Sequence, residues 1–392
     1  MRVLIASDLF YPQVSGASYF AQRFAQTLAQ KGHEVAVVAP ALSYKNSDED
    51  FRGIRFFGLR SLEIPFYRQT RFIIPFTSLF KKDARRILKT FKPDIVHIQS
   101  HFTLSRTVAG EAQKLGLPIV ATNHFMPENL TYYLHLPAFI THRINSAMWH
   151  DAVRVYKCAN VVTAPSRTAA TMLEPQLKKT VPIISNGIAL GRFTSANPTA
   201  EVRSKYSLPN KPTLIFVGRL DQEKNIDVVL RAVSLALKKI DFQFVVAGHG
   251  HDQPSLHALA KELGIQNNVT FTGFVPDELL PNLYASAQCF VNACTAELQC
   301  IALMEAMATG LPAIGANAVA LPELIHHNEN GYLFTPGKSD ELAEYIVKIF
   351  SDENRRKQMG QKSLEIIKNH DINVTVEKFE EFYRQAVAAH GA

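Results

Sequence analysis

The chain has 392 residues, 47% apolar and 20% charged, which allows two domains of ordinary size and excludes a disordered or fibrous class. No run of about 18 apolar residues is present to span a bilayer, and the opening Met1 to Asp8 turns polar too quickly for a signal peptide. The four cysteines, Cys158, Cys289, Cys294 and Cys300, form no CxxC pair, so neither a disulfide scaffold nor structural zinc is indicated, and a reduced, cytoplasmic protein is expected.

Strand and helix signals alternate along the chain, the pattern of parallel sheets covered by helices. Val3 to Ser7 reads as a buried first strand. Tyr11 to Gly16 forms a loop, and Gly16 near a helix start would let backbone approach a phosphate or sugar closely. A plain turn glycine is the more ordinary explanation. A helix with Phe20, Phe24 and Leu28 follows, then strands at Glu34 to Ala39 and Ile54 to Phe57.

The net charge is +7, with a pI of about 9.1. Between Arg60 and Lys92 stand nine Lys or Arg and two acids, an excess equal to that of the whole chain. That concentration points to an acidic surface partner. Within it, Phe76 to Phe91 reads as a basic amphipathic helix. Lys81, Arg85 and Lys89 lie on one side, with Lys82 and Arg86 adjacent; Phe80, Ala84, Ile87, Leu88 and Phe91 lie on the other. With Phe66, Tyr67, Phe72, Ile73 and Ile74 before it, the helix could lie on an anionic lipid surface. An ordinary surface helix packed on the sheet carries at least equal weight.

Strands at Ile95 to Gln99, Ile119 to Asn123, Val161 to Ala164 and Val181 to Ile184 complete the first half. His124, just past one of them, could bond a sugar hydroxyl, although loop histidines are more often structural. His101, His249 and His251 stand in similar positions with less support. Ser185 to Pro212 is rich in Asn, Pro and Ser and marks the domain boundary.

The second half restarts the pattern. Thr213 to Val217 is a strand, Asn225 to Lys239 a helix and Phe242 to Ala247 a strand. Between the first two lies Gly218 to Asn225, where Arg219 offers a fixed fork of donors and Lys224 a mobile point charge. Both suit a diphosphate; a solvated charged loop explains them equally well. Gly273, Phe274 and Val275 close the strand that starts at Val269, and could seat a base or simply turn the chain. A helix from Asp277 to Ala287 leads to the strand Cys289 to Asn292. The next loop carries Glu297, and a helix starting near Cys300 carries Glu305. A helix N-terminus after a strand suits an anion, and the two carboxylates beside it suit hydroxyls, which together describe a nucleotide-sugar. The alternative is a loop charge and an ordinary first-turn acid. A short strand at Pro312 to Gly315 and three helices close the chain. Two such domains, 1–185 and 186–372, would face each other across a cleft.

Gly218-Arg219 with Glu223-Lys224, Glu297 and Glu305, Ala306-Met307-Ala308, and Gly310-Leu311-Pro312 together resemble the retaining nucleotide-sugar glycosyltransferases of the GT-B fold, family 4 type. Asn186-Gly187-Ile188, Arg192-Phe193, Glu323-Leu324-Ile325 and Asn330-Gly331 fit the same pattern, which runs from residue 1 to about residue 350. The resemblance implies two Rossmann-like α/β domains, with the C-terminal helix, 373–392, packing back on the first. It implies that Arg219 and Lys224 hold the leaving diphosphate, that Glu305 takes the ribose, and that Glu297 takes the donor sugar's hydroxyls. Leu298, Gln299, Cys300 and Ile301 would lie along the sugar and phosphate. Gly16 would approach the diphosphate, His124 the reacting carbon, and Gly273 to Val275 the base.

Ser100-His101-Phe102, Asn123 to Met126 and Tyr132-Tyr133-Leu134-His135 are similar to the branch that glycosylates membrane diacylglycerol. A hexose, most simply glucose from UDP-glucose, would go to a glycerolipid on the inner face of the cell membrane. A GDP-mannose donor, an inositol or polyprenyl lipid, or a soluble sugar is the alternative. No metal or other cofactor and no nucleic acid is expected, since neither a DxD-type acidic pair nor an RNA- or DNA-binding signature is in place. Cys300 stands where the family commonly has glycine, and a side chain there would narrow the room beside the sugar. A nucleotide-sugar epimerase or hydrolase on the same fold, and a non-enzymic basic module, are the other classes considered.

Overall fold

The computed structural model describes residues 1–13, 15–64, 67–73, 77–131 and 136–391. Phe66, Ile74, Phe76 and the Tyr132 to His135 motif therefore lie outside the described residues. The chain divides into two compact units, Met1–Gly187 with Ile372–Ala392, and Ile188–Asp371.

The first unit opens with β1 (Arg2–Ala6), α1 (Gly16–Gln30), β2 (Glu34–Pro40), β3 (Ser47–Phe51) and β4 (Ile54–Leu59). A hairpin of β5 (Leu62–Ile64) and β6 (Tyr67–Phe72) follows, then α2 (Thr77–Phe91), β7 (Ile95–Ile98) and α3 (Thr103–Lys114). Next come β8 (Ile119–Thr122), α4 (Glu128–Thr131), α5 (Ala138–Tyr156), β9 (Val161–Thr163) and α6 (Arg167–Leu177). The seven-stranded sheet has the order β3-β4-β2-β1-β7-β8-β9, parallel except for β3 against β4. Val3, Leu4, Ile5 and Ala6 have no exposure at all, as a strand covered on both faces requires.

The second unit runs α7 (Ala200–Lys205), β10 (Thr213–Val217), α8 (Ile226–Ala236), β11 (Gln243–Ala247), α9 (Gln253–Glu262) and β12 (Val269–Gly273). It continues with α10 (Leu280–Ala285), β13 (Cys289–Asn292), α11 (Ile301–Ala308), β14 (Ala313–Ala316), β15 (Gly331–Phe334), α12 (Ser339–Ser351) and α13 (Glu353–Ile367). Its sheet is wholly parallel, in the order β12-β11-β10-β13-β14-β15. The last helix, α14 (Ile372–Gly391), belongs to the first unit. There Glu380 meets His33 at 2.7 Å and Phe379 packs edge-on against Phe24 at 5.0 Å.

The β5–β6 hairpin, α7 and β15 are not among the elements expected from the sequence, and three more differ from the expectation. Val181 to Ile184 forms no strand; one isolated parallel bridge joins Ile183 to Ala164, and Pro182 brings no N–H to a ladder. The helix expected at Asp277 to Ala287 shortens to α10. The strand β3, Ser-Asp-Glu-Asp-Phe, carries no apolar alternation to reveal it. It is an edge strand, held in part by Asp48 pairing with Arg55 across the ladder at 2.9 Å.

The amphipathic helix α2 is also resolved in one respect. Phe80, Ala84, Ile87, Leu88 and Phe91 are all under 5% exposed, so the apolar face belongs to the core. Lys81, Lys82, Arg85, Arg86 and Lys89 remain outside. Arg85 is tied to Glu111 at 2.8 Å, and Arg86 approaches Asp83 at 3.9 Å. Any contact of this helix with lipid therefore uses its charges and, at its first turn, the exposed Leu79, and not the five apolar residues packed in the core.

Candidate functional site

In an open parallel sheet, ligands gather beyond the C-terminal strand ends, where the strand order reverses. In the second unit that point lies between β10 and β13. The loop after β10 carries Gly218 to Asn225, and the loop after β13 carries Ala293 to Cys300. The two loops are joined directly. Asn225, in the left-handed region at φ 49°, donates through Nδ2 to the carbonyl of Ala293 at 3.1 Å.

Lys224 and Glu297 come together across this junction, with Nζ 2.7 Å from Oε1 and side chains only 13% and 18% exposed. Burial opposes the lysine's charge, but Glu297, with Glu223 further off, outweighs that and raises the Lys224 pKa. Cys294 Sγ lies 3.7 Å from the same nitrogen. Burial holds the Cys294 thiol protonated, up at about 12, so it serves here as a weak polar neighbour.

Arg219 does not join that pair. Its guanidinium is held by its own loop, 2.6 Å from Asp221 and 3.0 Å from Glu223. Sequence reasoning treated Arg219 and Lys224 as cations waiting for an anion and missed these carboxylate partners. A diphosphate arriving here must share or replace carboxylate contacts that both cations already make.

The entry to α11 is built by Asn292 and Cys300. Asn292 Oδ1 accepts from the Cys294 N–H at 2.8 Å, and its Nδ2 lies 3.1 Å from Cys300 Sγ, so one side chain closes both ends of the loop. The Cys300 thiol turns inward, 5% exposed, and caps α11 by accepting from the Leu303 N–H at 3.4 Å. Its backbone, at φ −87°, has no need of glycine. Leu298 and Ile301 are each 8% exposed beside it, and Gln299 is half-buried. Glu305 is buried within α11, where the Tyr284 hydroxyl from α10 donates to its Oε2 at 3.2 Å.

At the end of β12, Gly273 has φ 68°, and a Cβ there would stand 2.9 Å from the His249 ring. Gly248, at φ 142°, brings β11 against the Gly218 carbonyl, where a Cβ would meet oxygen at 1.8 Å. Phe274 is 48% exposed next to the buried Val275. His251 uses its backbone N–H on Asp221 at 3.2 Å.

In the first unit the strand order reverses between β1 and β7. A small hollow at these strand ends is lined by Ser7, Ala17, Gln99, Ser100, His124 and Phe125, among others. Gly16, exposed, is the first residue of α1, and the Ser15 hydroxyl accepts from the Ser18 N–H at 3.2 Å. Asp8, which sequence reasoning passed over, accepts from the Leu104 and Ser105 N–H groups at 2.8 and 3.1 Å and so holds the start of α3. His124 Nε2 lies 2.9 Å from Gln99 Oε1, and burial lowers the ring to about 4, so it is neutral near pH 7. His101 does not line the hollow; it is buried against Phe102 and Phe125, both 4.4 Å away. Among the described residues no group of three or more His, Cys, Asp or Glu is placed to hold a metal, and no helix is long and apolar enough to cross a membrane.

Two family models match, one for most of each half. Glycosyltransferase Family 4 matches residues 14–192, and Glycosyl transferases group 1 matches residues 199–365. The alpha-monoglucosyldiacylglycerol synthase of Streptococcus pneumoniae is 29% identical over 85% of this chain and 75% of its own length. The GDP-mannose-dependent alpha-mannosyltransferase of Corynebacterium glutamicum is 24% identical over 99% of this chain and 90% of its own. Among solved structures, Anabaena Alr3699/HepE in complex with UDP-glucose superposes with a TM-score of 0.76 at 19% identity, covering 98% of this chain and 99% of that one.

Proposed function

Since the chain belongs to the glycosyltransferases of the GT-B fold, with a Family 4 region followed by a group 1 region, we propose that it moves a hexose from UDP-glucose to a membrane glycerolipid such as diacylglycerol, with retention. The observation that carries the donor half is the Lys224–Glu297 pair beside Arg219 at the switch point of the second unit. A cation here can take the charge that builds on a departing diphosphate, and a carboxylate beside it can take the sugar's hydroxyls. With no enzymic nucleophile assigned, the acceptor attacks the face the diphosphate leaves, and a phosphate oxygen takes the acceptor's proton. Half-buried, neutral His124 is suited to a hydroxyl partner and not to an anion. No metal enters this scheme.

The acceptor half rests on the likeness to the glucosyldiacylglycerol synthase and on the basic face of α2. A GDP-mannose donor is the second reading, favoured by the mannosyltransferase that matches over 99% of this chain. One experiment separates them: UDP-glucose or GDP-mannose is supplied with anionic vesicles containing diacylglycerol, and lipid product is measured. Glucosyl lipid from UDP-glucose is expected, and product from GDP-mannose alone would replace the first reading by the second. Neutralising Lys81, Lys82, Arg85 and Arg86 is expected to weaken flotation with these vesicles about ten- to a hundredfold, at about 1 kcal/mol per free basic residue and less for the two paired arginines. Equal flotation of both proteins would remove α2 from the account.

A further inference from the structure

Behind His124, which lines the first unit's hollow, runs a buried chain of polar side chains that the transfer scheme leaves unused. His124 Nε2 meets Gln99 Oε1 at 2.9 Å, and Gln99 Nε2 lies 3.3 Å from His97 Nε2. His97 Nε2 also meets the Thr122 hydroxyl at 2.8 Å, and Thr122 meets Thr163 at 2.9 Å. On its other side, His97 Nδ1 meets the Tyr383 hydroxyl of α14 at 2.6 Å. Gln99 is 2% exposed, and His97, Thr122, Thr163 and Tyr383 are not exposed at all. In such a chain donors are set against acceptors, which gives it a direction.

A neutral imidazole has one N–H and one lone pair, so the direction of this chain fixes where each proton sits. As Gln99 is oriented, its carbonyl oxygen accepts from His124 Nε2–H. Its amide N–H donates to the lone pair on His97 Nε2. The Thr122 hydroxyl donates to the same lone pair, and His97 Nδ1–H donates to the Tyr383 oxygen. The lone pair of His124 is then on Nδ1, the ring nitrogen that Gln99 does not hold. Phe20, with its ring 5.3 Å from that of His124, limits how the imidazole can turn.

We propose that Gln99 is a positioning residue that fixes His124 as the Nε2–H tautomer, so that His124 offers the hollow a hydrogen-bond acceptor for a hydroxyl. The consequence for turnover rests on the reading that His124 meets sugar; the consequence for the ring does not. Tyr383 extends the device, since α14 then closes the far end of the chain through His97.

The test uses the full chain labelled with 13C and 15N at histidine, with the His124 signals assigned through His124→Asn. Carbon and nitrogen shifts of the ring report its tautomer directly. Wild type is expected to show His124 protonated at Nε2. Gln99→Leu is expected to mix the tautomers and lower kcat roughly ten- to a hundredfold, as misplacement of one contact does, with KM for the donor little changed. Gln99→Glu keeps an acceptor against Nε2, so the tautomer persists and the ring titrates at higher pH than in wild type. A wild-type His124 protonated at Nδ1, or a His124 whose tautomer and titration are the same in wild type, Gln99→Leu and Gln99→Glu, overturns the proposal. A tautomer shift in Gln99→Leu with unchanged turnover supports the positioning role and instead removes His124 from the transfer reaction. Should Gln99→Leu fail to fold, the wild-type tautomer and the Gln99→Glu titration decide the matter.

Discussion

Lys224→Ala is expected to lower hexosyl transfer about 100- to 1,000-fold, the usual cost of removing one charged contact to a group that gains charge in the transition state. The expectation comes from the position of Nζ, 2.7 Å from Glu297 in a side chain only 13% exposed. Charge in such a place acts through little water, so its removal cannot be offset by solvent. Arg219→Ala should move in the same direction, because its fork sits at the same strand end and is already aimed by Asp221 and Glu223. Single-turnover rates with saturating donor separate this loss from weaker binding. A rate within a few-fold of wild type in the Lys224 variant would show that this lysine does not meet the leaving group.

The second large effect concerns stability. Glu297→Leu leaves Lys224 charged and enclosed, with Cys294 as its remaining side-chain hydrogen-bond neighbour among the described residues. Breaking a fully buried pair in this way costs about 3–5 kcal/mol; both ends here keep some exposure, so about 2–3 kcal/mol is expected. The double variant Lys224→Met with Glu297→Leu removes both charges and should regain most of that stability. It should regain none of the transfer rate. Urea midpoints for the two variants, read beside their rates, check both statements. A double variant as unstable as Glu297→Leu would mean that the site needs these side chains for packing rather than charge.

The architecture was legible because parallel strands buried on both faces leave unbroken apolar runs. Val3 to Ala6, Thr213 to Val217 and Cys289 to Asn292 each announce themselves in that way. The edge strand β3 was not legible, because an acidic strand at a sheet margin is shaped by what it avoids rather than what it buries. In the same way Val181 to Ile184 had the composition of a strand, and its proline kept it from becoming one.

The candidate site was legible as residue types and not as pairs. Lys224 and Glu297 stand 73 positions apart, and only the order of the strands brings them together. The carboxylates that hold Arg219 were in plain view within its own loop, yet nothing in spacing tells whether Asp221 turns toward the guanidinium. Cys300 reads as an intrusion into the space beside the sugar; its thiol instead turns inward to cap α11. Asn225 and Asn292 gave one faint signal, since asparagine tolerates left-handed backbone and bonds nearby loops. Gln99 and His97 gave none, for alternate residues on a strand ordinarily point to one face without meeting.

The most direct measurement is a calorimetric titration of UDP and of uridine into the chain and into its Lys224→Ala variant. If the second unit's cations hold the diphosphate, UDP binds wild type at least tenfold more tightly than it binds the variant, about 1.4 kcal/mol or more, while uridine binds both alike. UDP binding the variant as tightly as wild type would contradict the account.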